Sequence, residues 1–363
     1  MSDFIRVGLV NTYMQGRETQ IPSGHYPSHH LWGADKLNQD RFQLLIVPPS
    51  GRKKINRLAK YFTSVLRSRF GDLDQEIEIW RVRKKIDILY VADGNLFWIP
   101  LLHIAGLFRP RIVRWAYIPR LLFPWWKFRN INNSLAIHKG TDLLLCLTNR
   151  AAMAHQEEMP WLNLRQVDWG ADPQQFAPGE RNGQFFFACG RTNRDYRSLV
   201  LQAHSINAEI HLIVNKSYLS ELSLPANVHA IDGSKDLQTD RGIPYPQLIQ
   251  GYFHKALALL IPLKISSHDS AGMTNLLEGM ACGLPVIMTR TGSIDINIEK
   301  LGIGIYVDPD DPHGWGNACN ALLSDHERAR AMGDRGRQLV ESHFNTERLG
   351  RDLSALFDKL HQA

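Results

Sequence analysis

Short apolar runs recur along the first half of the chain: Phe4–Asn11, Phe42–Val47, Asp87–Ala92, Arg111–Trp115 and Asp142–Thr148. They show little polar alternation, which marks strands buried on both faces, as in a parallel sheet. Between them lie a loop over 14–30 rich in Gly, Pro, Ser and His, and a short helix over Leu31–Asn38. A basic amphipathic helix follows over 51–69, and an apolar helix precedes the fourth run.

Val167–Pro178 (VDWGADPQQFAP) breaks the pattern and reads as a linker. The alternation then restarts with Gln184–Cys189, Glu209–Val214, Asn227–Ile231, Ala256–Leu263 and Pro285–Thr289. Helical periodicity begins at Asp195 and covers 245–254, 272–282, 312–323, 325–342 and 346–360. Strands alternating with helices on both sides of a linker predict two doubly wound α/β domains separated by a cleft. Ligands of such sheets bind beyond the carboxyl ends of the strands. The expected domains are 1–165 and 166–345, with a terminal helix over 346–363.

Composition changes little in this picture. The 363 residues are 44% apolar and 21% charged, which excludes a disordered chain and a disulfide scaffold. No apolar run reaches the ~20 residues of a membrane span. The start, M-S-D-F-I-R, lacks the pattern of a secretory signal. Cys146, Cys189, Cys282 and Cys319 form no Cys-x-x-Cys pair, so buried thiols in a reducing cytoplasm are expected.

Charge adds more. Residues 1–170 hold 24 Lys and Arg against 14 Asp and Glu, and the remainder 18 against 22. A basic first half suggests that this domain meets something anionic: a membrane, a phosphorylated acceptor or nucleic acid. No nucleic-acid motif accompanies the charge, so nucleic acid is not expected.

The strongest chemical signal is Ser270–Thr289 (SAGMTNLLEGMACGLPVIMT). Ser270, Ala271 and Gly272 lead into a helix, Gly283 ends it, and a strand follows. Free backbone N–H groups at Gly272, Met273 and Thr274, with the helix dipole, make an anion site suited to a diphosphate. Glu278 lies a turn further on, where a carboxylate suits sugar hydroxyls such as a ribose. The bland alternative is a structural helix with a surface carboxylate.

This segment resembles the C-terminal domain of nucleotide-sugar glycosyltransferases of the GT-B fold, close to family 4. That family carries Glu-x7-Glu followed by A-M-A-C-G-x-P-V-I, and E-G-M-A-C-G-L-P-V-I here matches from Glu278 onward. Ser270 stands where the family's first Glu faces the transferred sugar. Trp169-Gly-Ala-Asp172 with Phe176-Ala-Pro178 resembles the interdomain segment, and Gly304 with Val307-Asp-Pro-Asp310 a late stretch of the second domain. Phe187-Ala-Cys-Gly-Arg191 resembles the strand and turn whose Arg meets the donor diphosphate. The family's second phosphate cation, a Lys, is absent. Arg194 or Arg197 substitutes, with Arg194 preferred for its place in T-N-R-D-Y-R.

The resemblance implies a retaining, hexosyltransferase-type enzyme of glycan biosynthesis. It would move a sugar from a nucleotide diphosphate sugar to a glycan or lipid-linked acceptor, with no metal and no cofactor. It also implies that the terminal helix packs back on the first domain. Donor-binding candidates are Arg191, Arg194, Ser270, Ala271, Gly272, Met273, Thr274 and Glu278. Rival readings are a GT-B sugar epimerase and a catalytically degenerate nucleotide-sugar-binding protein, the latter prompted by Ser270.

The family's His after the fourth strand is missing from R-I-V-R-W-A-Y. The catalytic candidates in the first domain are therefore His29 and His30, which can hydrogen-bond a hydroxyl, and Asp93. Asp93 orients an acceptor hydroxyl or caps a helix. His25-x3-His29 has metal-ligand spacing, but Pro27 argues against one helical face. Asp308-Pro-Asp310 has the D-x-D spacing of metal-dependent transferases, yet sits in a turn before a helix. Gly302-Ile-Gly304 lacks a third glycine and precedes a strand, so a dinucleotide site is not expected. Finally, Arg120–Arg129 (RLLFPWWKFR) interleaves aromatic and basic groups, which suits peripheral contact with the inner face of a membrane.

Overall fold

The computed structural model describes residues 4–14, 17, 20–47, 61, 71–117, 135–180, 183, 185–214, 223–233, 243–265 and 270–362. The basic segment 51–69, apart from residue 61, and the aromatic segment Arg120–Arg129 lie outside them. The chain divides into two units. One comprises Met1–Thr19, Ser28–Trp169 and Glu347–Ala363; the other comprises Gln20–Pro27 and Gly170–Thr346.

The first unit is a six-stranded parallel sheet in the order β2-β1-β3-β4-β5-β6. Its strands are β1 (Ile5–Asn11), β2 (Phe42–Ile46), β3 (Ile88–Asp93), β4 (Arg111–Ala116), β5 (Leu143–Cys146) and β6 (Leu164–Gln166). The short edge strand β6 has no apolar run behind it and escapes the sequence pattern. Among the described residues, the connecting helices are α1 (Leu73–Val82), α2 (Trp98–Ile104), α3 (Leu135–Lys139) and α4 (Asn149–Glu158). One face of the sheet packs Leu89, Val91 and Ile112 against Ile79 of α1, Ile99 of α2 and Phe108. Thr148 starts α4 by accepting from the Ala151 N–H at 3.1 Å.

The helix expected over Leu31–Asn38 is instead two 3-10 turns, Ser28–Leu31 and Ala34–Lys36. Trp32 and Gly33 adopt φ of 54° and 74°, which a continuous helix excludes. A side chain on Gly33 would lie 2.7 Å from Leu349 Cγ, so the turn must be bare where the terminal helix crosses it. That helix is α10 (Thr346–Gln362), and most of it groups with the first unit. Phe357 packs edge-on against Phe42 and Tyr90, and Glu347 and Asp358 pair with Lys36 and Arg41 at 2.8 and 2.9 Å.

The second unit repeats the architecture in the order β12-β11-β10-β7-β8-β9, again parallel. Its strands are β7 (Phe185–Cys189), β8 (Ile210–Val214), β9 (Val228–Asp232), β10 (Ala256–Ile261), β11 (Val286–Thr289) and β12 (Gly304–Val307). The helices are α5 (Tyr196–Gln202), α6 (Tyr245–Leu248), α7 (Met273–Ala281), α8 (Gly314–Ser324) and α9 (His326–Ser342). Asp195 and Asp325 cap α5 and α9. The loop Gln20–Pro27 groups here as well: Gln175 donates to the Gly24 carbonyl at 2.9 Å, and Tyr26 meets Tyr245 edge-on. The division of the chain falls at Trp169/Gly170, four residues beyond the expected boundary.

All four cysteines are buried, and burial pushes the Cys146 thiol up to about 12 and raises the thiols of Cys189, Cys282 and Cys319 as well. Among the described residues no helix is long and apolar enough to cross a membrane.

One polar contact in the first unit has a consequence for stability. The start of α2 has no cap of its own. Glu76 of α1 supplies one, accepting from the Phe97 N–H at 2.9 Å and the Ile99 N–H at 2.6 Å. Burial raises this carboxyl from 4.5 to about 8, and neighbouring Asp72 adds to the rise. The unfolded chain therefore loses this proton near pH 4.5 while the folded chain keeps it to about 8. Stability should fall across that window, by at most about 1.4 kcal/mol per pH unit. Urea unfolding of Glu76→Gln should lack this falling component, and an unchanged pH profile would assign the slope to other groups.

Candidate functional site

The carboxyl ends of β7, β10 and β11 converge on the start of α7. After β10, the chain passes Leu263 and returns through Ser270 and Ala271 to Gly272, which has φ 91°. A side chain there would lie 3.0 Å from Ile261, 3.1 Å from Met288 and 3.3 Å from Leu263. Only glycine lets the helix begin flush against the sheet. Met273 N–H donates to the Ser270 carbonyl at 3.2 Å, so it is not one of the free donors expected. The first turn of a helix leaves N–H groups unpaired unless the preceding loop takes them, and here the loop takes that one. The N–H groups of Gly272 and Thr274 bond to no described residue, and no side chain caps the helix.

Arg191 and Arg194 follow β7 and part company. Gly190, at φ 115°, turns the chain, and Arg191 is left exposed. Arg194 is buried. It donates to the Cys189 carbonyl at 3.3 Å, to the Thr192 carbonyl at 2.8 Å and to Asn275 Oδ1. Its planar fork is occupied by the protein's own oxygens, so its geometry is that of a clasp between the β7 turn and α7. Arg197 is exposed on α5.

The clasp continues to Glu278. Asn275 Nδ2 donates to Glu278 Oε2 at 3.1 Å and to Cys189 Sγ at 3.4 Å. Arg194, Asn275 and Glu278 thus form one hydrogen-bonded chain from strand end to helix. Glu278 is buried, and its charge adds to the upward push on the Cys189 and Cys282 thiols. The far end of α7 is held by Arg337 of α9, whose Nη1 meets the carbonyls of Ala281, Pro173 and Phe176 at 2.7, 2.8 and 3.1 Å. One guanidinium therefore joins α7 to the linker that resembles the family's interdomain segment.

Two residues near this site were missed. Asn275 carries the link between Arg194 and Glu278, and its signal was its place three residues before Glu278 on one helix face. Lys264 is an exposed cation just past β10, tied to the β7 turn by its N–H bond to the Asn193 carbonyl at 3.0 Å.

In the first unit, His29 and His30 are both buried, with ring centroids 4.6 Å apart. Trp169 lies 5.0 Å from the His29 ring and Tyr13 5.3 Å from that of His30. Burial, then His29 and Arg17, hold His30 well below its usual pKa, so it is neutral. His25 belongs to the second unit, where Nδ1 meets Ser23 Oγ at 2.9 Å. Asp93 ends β3 and accepts from Thr12 Oγ1 at the end of β1. It does not cap α2, whose start is satisfied by Glu76. Of the D-x-D pair, Asp308 pairs with Arg290 at 2.7 Å and Asp310 is exposed, while the next residue, Asp311, accepts from the His313 N–H at 2.9 Å.

Residues 243–339 match the family model described as "Glycosyl transferases group 1". A D-inositol 3-phosphate glycosyltransferase of Corynebacterium jeikeium is 35% identical over 121 residues, 32% of this chain and 27% of the relative. An N-acetyl-alpha-D-glucosaminyl L-malate synthase of Bacillus anthracis is 38% identical over 87 residues, 24% of this chain and 23% of the relative. The chain thus spans about a quarter of the length of these curated relatives. Likeness in fold runs further. Sucrose-phosphate synthase from Thermosynechococcus elongatus covers 99% of both chains with TM-score 0.65 and 14% identity. An Anabaena protein solved with UDP and glucose covers 98% of this chain and 100% of its own, with TM-score 0.63 and 12% identity. The fold is that of the GT-B glycosyltransferases, and the sequence likeness to the group 1 glycosyl transferases covers residues 243–339, from just before α6 into α9.

Proposed function

We propose that this chain transfers a sugar, with retention of anomeric configuration, from a nucleotide diphosphate sugar to a glycan or lipid-linked acceptor. The observation that carries the reading is Glu278, buried on the second turn of α7 and linked through Asn275 to Arg194 in the turn after β7. A carboxylate held in this way can accept hydrogen bonds from the ribose hydroxyls without reorganising. Arg191 and Lys264 supply positive charge just past the strand ends, and the Gly272 and Thr274 N–H groups lie at the N-terminus of α7. These groups would stabilise the diphosphate as it departs, which is the task a metal performs elsewhere. The anomeric carbon passes through an oxocarbenium-like state.

The names of relatives support the donor and acceptor classes. One neighbour was solved with UDP and glucose, and one relative is named for inositol 3-phosphate. His29, His30 and Asp93 act on the acceptor in this reading; neutral His30 serves as a hydrogen-bond partner rather than an acid. Ser270 in place of the family's first Glu favours a second reading, a nucleotide-sugar-binding protein without turnover. Incubation with a panel of nucleotide sugars separates the two: transfer to an acceptor with retained configuration by NMR supports the enzyme, and tight binding without transfer supports the second reading.

Glu278→Ala should weaken donor binding by about 1.5–3 kcal/mol, the worth of a charged hydrogen bond, with the fold intact. Unchanged affinity in calorimetry would remove Glu278 from the donor site.

Arg191→Ala should lower affinity for the bare nucleoside diphosphate as well as for the sugar donor, with Arg191→Lys restoring part of it. EDTA should leave binding unchanged. Arg194→Met should differ in kind. It leaves the buried Cys189 carbonyl without its donor, at about 1–3 kcal/mol, and removes the donor from the part-buried acceptors at Thr192 and Asn275. A marked drop in thermal stability is expected for Arg194→Met and none for Arg191→Ala. The reverse order would exchange their roles.

A further inference from the structure

The first sheet has a second edge that the proposed reaction does not use. Its strands are parallel, so the turns entering β3, β4, β5 and β6 all lie at the amino edge. Their exposed residues are of two kinds. Lys84, Lys85, Arg109 and Lys139 are cations. Ile104, Leu107 and Trp161 are large apolar groups, exposed by 51%, 60% and 51%. The acids of these turns are engaged: Asp87 by Arg6 at 2.7 Å, and Asp142 by His103 at 3.0 Å and Arg111 at 3.1 Å. The nearest exposed acid in sequence is Glu157, on the last turn of α4.

The turns are held from beneath. The Leu107 and Phe108 N–H groups both donate to the Leu102 carbonyl, and Phe108 is buried. The Leu162 N–H donates to the Met159 carbonyl, with both side chains buried on either side of Trp161. Leu107 and Trp161 are therefore presented by rigid backbone. Neighbouring strands are about 4.8 Å apart, so the four turns form a row roughly 15 Å long. A row of turn tips makes a flat surface rather than a groove.

A single exposed leucine means little. Three large apolar groups, two leading into β4 and one into β6, interleaved with four cations and with the local acids neutralised, match a lipid–water boundary. Trp and Leu enter the headgroup region, while Lys and Arg meet anionic lipid. We propose that the amino edge of the first sheet docks this chain on an anionic lipid surface. The lipid here is a platform and not the acceptor. Asp93, at the other end of β3, is about 17 Å away along the strand at ~3.3 Å per residue.

The test is sedimentation of the full chain with vesicles of phosphatidylcholine alone or mixed equally with phosphatidylglycerol. Binding should require the anionic lipid and fall with salt. Lys84→Ser and Lys85→Ser should each lower partitioning about fivefold. Leu107→Ser with Trp161→Ser should release the protein at unchanged circular dichroism. Brominated acyl chains should quench the wild type more than Trp161→Phe. Donor binding should be unchanged in all these variants, and Glu278→Ala should still dock, so failure here is separable from failure of the transferase reading. Three results would overturn the proposal: no sedimentation at low salt, wild-type binding by the edge variants with loss only in Trp125→Ser/Trp126→Ser, or retention by an oligonucleotide but not by vesicles.

Discussion

The second unit depends on how closely α7 can start to the sheet. Gly272, at φ 91°, lies within 3.0–3.3 Å of Ile261, Met288 and Leu263 as measured from where a side chain would begin. Any other residue would push the helix away or twist its first turn. With the helix flush, Asn275 reaches both Arg194 and Glu278, and the strand end and helix share one polar network. Arg337 closes the other end through three carbonyls. The helix that carries the candidate carboxylate is thus fixed at both ends by buried or half-buried guanidinium groups. Rigid placement matters because a charge aligned before the ligand arrives costs nothing to reorganise.

Much of this was readable from residue order. Strands such as Ile88–Asp93, buried up to its last residue, and Ala256–Ile261, buried throughout, are covered on both faces, and such apolar runs stand out. Asp195 and Asp325 announce their helices through capping chemistry that is local. The Ser270–Thr289 segment is legible for the same reason: its turn, helix and strand are consecutive.

What escaped is what depends on distant packing. Glu76 caps a helix that begins 22 residues later, and nothing in its surroundings on the chain marks it as buried. Arg194 reads as a phosphate ligand because a charged residue in a strand-end turn usually faces solvent; only the fold shows three protein oxygens around it. Leu31–Asn38 reads as a helix until α10 crosses at Gly33 and demands a bare, left-handed turn. The loop Gln20–Pro27 joins the second unit through Gln175 and Tyr245, residues far along the chain.

Ser270 gains meaning in this setting. Its carbonyl accepts from Met273 and shapes the turn before α7, so the position still serves the loop without offering a carboxylate. A Glu there would place a second negative charge within two residues of Gly272, beside the N–H groups on which an anion would rest. Its absence makes the helix start more attractive to a diphosphate and removes a contact to the sugar. The two effects fall on different halves of the same ligand. Nucleotide affinity and sugar selectivity should therefore separate in this chain. In the proposed reading its grip on the diphosphate would rest on Arg191, Lys264 and the helix start, and its choice of sugar on groups other than a carboxylate at 270.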